Sequence, residues 1–304
     1  MEARPRTYTV TAAMAISAVA LWGLAFPLIR VGLDDFSPVL LGFLRFTLGS
    51  ALMVAVILIR YSAREVVQTT RREWKSLLAL GVLYITIPNI AQNVGMIHGT
   101  SSIASVIQSS GPIMTLIFAV ILLKEGMTKM KTLGTAVAMT GTLLMVVGGG
   151  VSFEDEDFVS NILILISAIS YGLAWVSAKR MLERNPPILV IGLSLLIGTA
   201  LLGLAVPFEP DFAADFTLHS LSNLAVLGFL CGGVSSVLYL SSLEHEEVSK
   251  MAFFIYLMPI FASVFAWIIL GEEVATWTAI CGLIIVVGIA ISNRNGSGTD
   301  APEK

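Results

Sequence analysis

The chain has 304 residues, of which 56% are hydrophobic and only 13% charged, with a net charge of −3 and a mean hydropathy of +0.87. Soluble domains keep about a quarter of their residues charged, so this composition excludes a water-soluble globule. No basic tract offers a phosphate footprint, which excludes nucleic acid as a partner.

A helix crosses the hydrocarbon of a bilayer with about 20 apolar residues. Ten such spans are predicted. The first, 9–29, carries Trp22, Phe26 and Pro27; it lacks a small-residue cleavage site and stays as a membrane helix. The second, 38–59, holds Arg45, and five basic residues follow it. The third, 76–97, carries Pro88, Asn89, Gln92 and Asn93; the fourth, 103–122, carries Gln108, Ser109, Ser110 and Pro112. Gly134, Gly141 and Gly148 form a stripe along the fifth, 132–150, suited to close packing against a helix of this chain or a second one. An acidic run, 154–157, precedes the sixth, 158–178, which contains Tyr171 and Trp175. The seventh, 188–206, is followed by the acidic segment 209–215, and the eighth, 220–242, holds Ser236 and Tyr239. Tyr256 and Pro259 lie in the ninth, 251–270, and the tenth is 276–292. The polar tail from 293 onward reads as disordered. Cys231 and Cys281 sit inside apolar runs without a C-x-x-C pair, and read as free, buried thiols.

The chain repeats itself. Trp22-Gly23-Leu24-Ala25-Phe26 returns as Tyr171-Gly172-Leu173-Ala174-Trp175, 149 residues later, and Pro38 and Gly49 meet Pro187 and Gly198 at that spacing. At 147 residues His98 meets His245, Pro112 meets Pro259, Glu125 meets Glu272 and Gly141 meets Gly288. With the N-terminus inside, sixteen of the 18 Lys and Arg residues fall on one side of the membrane, which predicts cytoplasmic termini. A unit of five helices that follows itself enters the membrane upside down. Matching loops then differ in charge, as the basic residues after the second span and the acids after the seventh do. The predicted fold is therefore an all-α membrane protein of ten transmembrane helices, built as two five-helix inverted repeats, 10–150 and 158–292, around a central cavity.

These features resemble the ten-helix, two-EamA-domain members of the drug/metabolite transporter superfamily. The resemblance rests on the aromatic-Gly-x-x-aromatic stretch in each half and on Arg45 in Leu44-Arg45-Phe46. It rests also on the proline followed thirteen residues later by glutamate, Pro112 to Glu125 and Pro259 to Glu272. It implies alternating access to a cavity between the halves, often with export of amino acids or other small metabolites.

Several residues suit such a cavity. Trp22 and Phe26 share a helical face, as do Tyr171 and Trp175, fit for an amphipathic organic substrate or, alternatively, for an interfacial aromatic belt. Asn89, Gln92 and Asn93 share another face that should meet protein or a wet cavity, and Asn89 and Asn93 are the preferred substrate contacts. Gln108, Tyr239 and Tyr256 add polar groups on neighbouring helices. Arg45 is the one formal charge well inside a span, placed there at about 2.5–3.5 kcal/mol unless it snorkels or finds a partner. It is a candidate for a substrate carboxylate or for a structural bond. Pro27, Pro88, Pro112 and Pro259 interrupt helices and are candidates for gating, or simply kink them for packing. Glu125 and Glu272 lie at helix ends, where capping explains them; His98 and His245 do likewise, with a proton relay as the lesser reading.

The expected function is transport of small organic metabolites, amino acids or related neutral, zwitterionic or anionic compounds, with export the expected direction. A passive channel or a sensor is the alternative. No acid lies well inside a span, which argues against an exporter of cationic drugs. The absence of an HExxH motif or a convincing nucleophile–base pair argues against a membrane enzyme. The expected partners are a small-molecule substrate and the lipid bilayer, as a monomer or a homodimer, with proton coupling left open. No cofactor and no metal are expected, and the expected location is the plasma (inner) membrane.

Overall fold

The computed structural model describes residues 8–97, 101–108, 111–148, 155–271 and 276–293. His98, Ser109, Ser110, Glu154, Glu272, Glu273 and the tail 295–304 lie outside the described residues. Apart from one isolated bridge between Phe36 and Ala214, all regular structure among the described residues is helical. A chain this apolar closes its backbone hydrogen bonds within each segment, as lipid demands.

In chain order the helices are α1 (Tyr8–Asp35), α2 (Pro38–Arg60), α3 (Ala63–Leu80), α4 (Ile87–Gly95), α5 (Ser101–Gln108), α6 (Gly111–Phe118), α7 (Lys129–Gly148), α8 (Asp155–Leu182), α9 (Pro187–Ala205), α10 (Leu218–Ala225), α11 (Ser235–His245), α12 (Val248–Ala252), α13 (Met258–Leu270) and α14 (Thr276–Asn293). Several of these are continuous through short π-helical or 3₁₀ turns. Among the described residues, seven resulting helices are long and apolar enough to cross a membrane: Tyr8–Asp35, Pro38–Arg60, Ala63–Gly95, Phe158–Leu182, Pro187–Phe208, Leu218–His245 and Val248–Leu270. Gly111–Leu123 and Ile280–Ser292 are shorter apolar helices.

Two boundaries differ from the sequence-based expectation. α3 starts at Ala63 instead of 76, because Ser62 and Glu65 form a reciprocal capping box and start the helix early. Arg64, Arg71, Arg72 and Lys75 therefore stand on an amphipathic helix, not in a loop. α1 runs past 29 to Asp35 and takes in Arg30, whose guanidinium donates to the carbonyls of Ile97 at 2.9 Å and Met96 at 3.4 Å.

Among the described residues, the helix type changes beside two of the four prolines. A π-helical turn, Gly81–Thr86, leads into Pro88 at the start of α4, and a 3₁₀ turn, Phe253–Leu257, leads into Pro259 at the start of α13. Pro112 is the second residue of α6, while Pro27 lies within the unbroken α1. A proline has no N–H to donate and fits the first turn of a new helix. Two further π-helical stretches follow, Ala119–Leu123 after α6 and Val226–Val234 between α10 and α11.

Gly134 and Gly141 of the glycine stripe pack within the chain. A Cβ on Gly134 would lie 2.5 Å from Ser292 Cβ, one on Gly141 2.9 Å from the Cys281 carbonyl oxygen, and one on Gly288 2.4 Å from the Ala138 nitrogen. Glycine thus lets α7 and α14 approach backbone to backbone. Both cysteines are free and buried.

The two ends of the bundle differ in charge. At the basic end, Arg72 donates to Asn185 at 2.5 Å and Lys131 pairs with Glu247 at 2.5 Å. At the acidic end, Glu209 reaches the start of α2, where it accepts from the Ser37 hydroxyl (2.7 Å) and from the amides of Val39 (2.7 Å) and Leu40 (3.2 Å). Those amides have no partner inside the helix, and the carboxylate also complements the helix dipole.

Candidate functional site

Five aromatic rings converge in the middle of the bundle. Trp22 on α1 stacks on Trp175 on α8, with centroids 5.4 Å apart and planes 23° from parallel. Tyr239 on α11 tilts against Trp22 at 4.9 Å and Trp175 at 4.7 Å. Tyr84, from the π-helical turn before α4, meets Trp175 at 4.7 Å and Tyr171 at 5.7 Å. Tyr239 is fully buried and Trp175 nearly so, so these rings form an interior cluster, not a girdle at the lipid–water boundary.

A cavity opens against this cluster. Its wall includes Trp22, Ala25 and Phe26 of α1, Arg45 and Phe46 of α2, Tyr84, Gln92 of α4 and Gln108 of α5. Gly111 and Thr115 of α6, Tyr171, Gly172 and Trp175 of α8, Cys231, Ile255 and Met258 complete it. Gln92 lies one turn before the end of α4, Arg45 two turns into α2, and Gln108 at the last residue of α5.

Arg45 is buried, with only 6% of its surface exposed. It does not snorkel. Its Nη2 donates to Asn89 Oδ1 at 2.6 Å, and its guanidinium lies 4.5 Å from the centre of the Phe46 ring. Asn89 is fixed in turn by donating to the Ile85 carbonyl at 2.6 Å. Nε and Nη1 of Arg45 have no hydrogen-bond partner among the described residues. Gln108 Oε1 is likewise buried and unpartnered.

Six of the ten sequence-predicted binding residues line the cavity: Trp22, Phe26, Arg45, Gln108, Tyr171 and Trp175. The other four stand behind them. Asn89 holds Arg45, and Asn93 donates to the Pro38 carbonyl at 2.9 Å. Tyr239 packs under the tryptophans, and Tyr256 is fully buried with an unpartnered hydroxyl. Sequence reasoning passed over Tyr84 and read Cys231 as a packing thiol. Both line the cavity, and they are 147 residues apart, the offset of the second part of the repeat. Pro88 also deprives the Tyr84 carbonyl of its helical donor, a second signal.

On the basic-end side of the rings, the first half of the chain is tied to the second. Glu125 accepts from the amides of Val248 (3.0 Å) and Ser249 (3.1 Å), capping α12 from the far half of the chain. Lys131 donates to Glu247 (2.5 Å) and Ser249 (3.0 Å). Arg180 donates to the Leu122 carbonyl, while within the second half Lys179 reaches the carbonyls of Leu243 (2.5 Å) and Glu246 (2.7 Å). His245 sits among these groups, 3.6 Å from Glu244. Among the described residues, no cluster of His, Cys, Asp or Glu could hold a metal ion.

Relatives span nearly the whole chain. An uncharacterized transporter of Archaeoglobus fulgidus is 26% identical, covering 91% of this chain and 96% of the relative. A probable terminal-alkyne amino-acid exporter of Streptantibioticus cattleyicolor is 25% identical over 93% of each chain. The uncharacterized transporter YcxC of Bacillus subtilis is 28% identical, covering 90% of this chain and 89% of its own. These proteins are named as transporters, not enzymes. A solved crystal structure superposes with a TM-score of 0.77 at 18% identity, over 93% of this chain and 96% of its own, and shares the fold. The EamA-like transporter family profile matches twice, at residues 9–147 and 159–294. With both matches together spanning almost all of its length, the chain belongs to the EamA-like transporter family of membrane transporters.

Proposed function

We propose that this transporter moves amino acids or closely related small metabolites out of the cell by alternating access. The observation that carries the reading is the central cavity, which has an aromatic floor, a buried cation and a carboxamide on its wall, and cross-half ties beneath it. Rings of Trp22 and Trp175 suit an apolar side chain, Arg45 suits a carboxylate, and the unpartnered Gln108 Oε1 suits an ammonium donor. The name of the Streptantibioticus relative supports the same substrate class.

The transport cycle is read on ten helices in two inverted five-helix units. Two family matches of near-equal length support the two units. So does the π-helical turn at Gly81–Thr86, which meets another inside Val226–Val234 at the 147-residue offset. The basic end is taken as cytoplasmic on the charge rule, with both termini there and the plasma membrane as the location. With the basic end tied across the halves by Glu125, Lys131 and Arg180, and within the second half by Lys179, this conformation is taken as outward-facing. Release of those ties and rocking about the proline-marked helix breaks would present the same cavity to the inside.

Reconstituted liposomes test this directly. Preloading with unlabelled amino acid should accelerate uptake of labelled amino acid, and the flux should saturate. Flux that stays linear with concentration and carries ionic current would overturn the carrier reading.

A further inference from the structure

Arg45 poses a physical problem that the fold leaves unsolved. Burying a guanidinium is costly unless its charge is paired and its N–H groups are bonded. Here the side chain is 94% buried, only Nη2 has a protein acceptor, and that acceptor is the neutral Asn89. No ion pair reaches Arg45 among the described residues. The titratable groups that act electrostatically on it, Tyr171, Cys231 and Tyr84, include no carboxylate among the described residues. Phe46 covers one face of the group and compensates part of the charge, but it accepts no in-plane hydrogen bond.

A purely structural arginine would spend its donors on backbone carbonyls, as Arg30 does on Met96 and Ile97 and Lys179 does on Leu243 and Glu246. Arg45 has no such carbonyl and stands in the wall of the cavity instead. Asn89 holds Nη2 and orients the plane, leaving Nε and Nη1 for an incoming acceptor. The aromatic rings of Trp22 and Trp175 lie on the same cavity.

We infer that Arg45 is the carboxylate subsite of the cavity, so that its substrates are monocarboxylates whose apolar or aromatic body rests on Trp22 and Trp175. The inference rests on the transporter reading and narrows it. The carboxylate is required and the amino group is not. A carboxylate brings the missing charge and several lone pairs, and hydrogen bonds between charged groups are about twice as strong as neutral ones. Asn89 acts as a positioning residue, since it touches Arg45 and not the cavity.

The test needs no mutation to begin. The purified full chain is titrated calorimetrically with 3-phenylpropionate and with its near-isosteric amide, 3-phenylpropanamide. The acid should bind at least about tenfold more tightly, the value of one charge-assisted hydrogen bond. Equal affinity, or no binding of the acid, overturns the assignment. Arg45→Lys should keep the preference for the acid at reduced affinity, whereas Arg45→Gln should level the two. A preference that survives in a folded Arg45→Gln protein also overturns it. Counterflow in liposomes separates this inference from its foundation. Flux of amides or amines without flux of carboxylates defeats the carboxylate subsite and leaves the transporter reading standing, whereas an absence of counterflow for all three defeats both.

Discussion

Trp22 and Trp175 stack at 5.4 Å across the two halves of the chain, and both face the central cavity. The contact joins an early helix, α1, to α8 in the second half, so the cavity wall is itself part of the contact between the two halves of the chain. Aromatic pairs contribute about 0.5–1.5 kcal/mol beyond the area they bury. Trp175→Ala removes contacts to Trp22, Tyr84, Tyr171 and Tyr239 together. It should raise the KM for amino-acid counterflow about tenfold or more, as the loss of about 1.4 kcal/mol implies. Trp175→Phe, which keeps a ring, should lie between. The measurement is initial counterflow rate against concentration for the three proteins at matched reconstitution.

Glycine at 288 is held to no side chain by the Ala138 backbone. A Cβ there would lie 2.4 Å from the Ala138 nitrogen and 2.8 Å from its Cα, atoms that move only if α7 and α14 separate. Overpacking of this kind costs about 1–3 kcal/mol. Gly288→Val should lower the thermal midpoint of the purified protein by several degrees. Gly126→Ala, where nothing lies within 4 Å of the new Cβ, should leave it unchanged.

The carboxylate of Glu209 caps α2 from a segment 170 residues away in sequence, binding the Val39 and Leu40 amides and the Ser37 hydroxyl. Losing a helix cap costs about 0.5–2 kcal/mol. Glu209→Ala should therefore lower the thermal midpoint by a few degrees. Because α2 also carries Arg45, it should weaken carboxylate binding modestly. Ser37→Ala removes one of the three bonds and should show a smaller effect by the same melting measurement.

Spans were the most legible part of this chain, because a membrane helix announces itself by an apolar run of fixed length. Among the described residues, seven of the ten predicted spans fall on helices long and apolar enough to cross a membrane, and 103–122, 132–150 and 276–292 coincide with helix where they are described. The error at α3 came from the same rule: hydropathy reports where lipid begins, not where a capping box at Ser62 and Glu65 starts the helix. The candidate site was legible in part. Trp22, Phe26, Tyr171 and Trp175 followed from helical spacing within a repeat. Arg45 followed from its charge. Asn89 and Asn93 share a helical face, but spacing along one helix cannot tell a cavity from a neighbour's polar group, and Arg45 and the Pro38 carbonyl occupy them. Glu125 on Val248 and Ser249 was beyond the sequence, since it depends on how two distant segments meet.

Alternating access is the central claim, and Cys231 provides a native reporter of it, since its thiol lines the cavity. In a Cys281→Ser background, oriented vesicles are exposed to a membrane-impermeant thiol reagent from one side at a time. Cys231 should react from the acidic end while the basic-end ties of Glu125 and Lys131 are intact. Combining Glu125→Gln with Lys131→Ala weakens four hydrogen bonds at the basic end. At about 1 kcal/mol for each bond of a coupled set, the equilibrium should move by at least about tenfold. The predicted result is a faster reaction from the basic end and a slower one from the acidic end. Rates that rise together from both ends, or rates that do not change at all, would contradict the account.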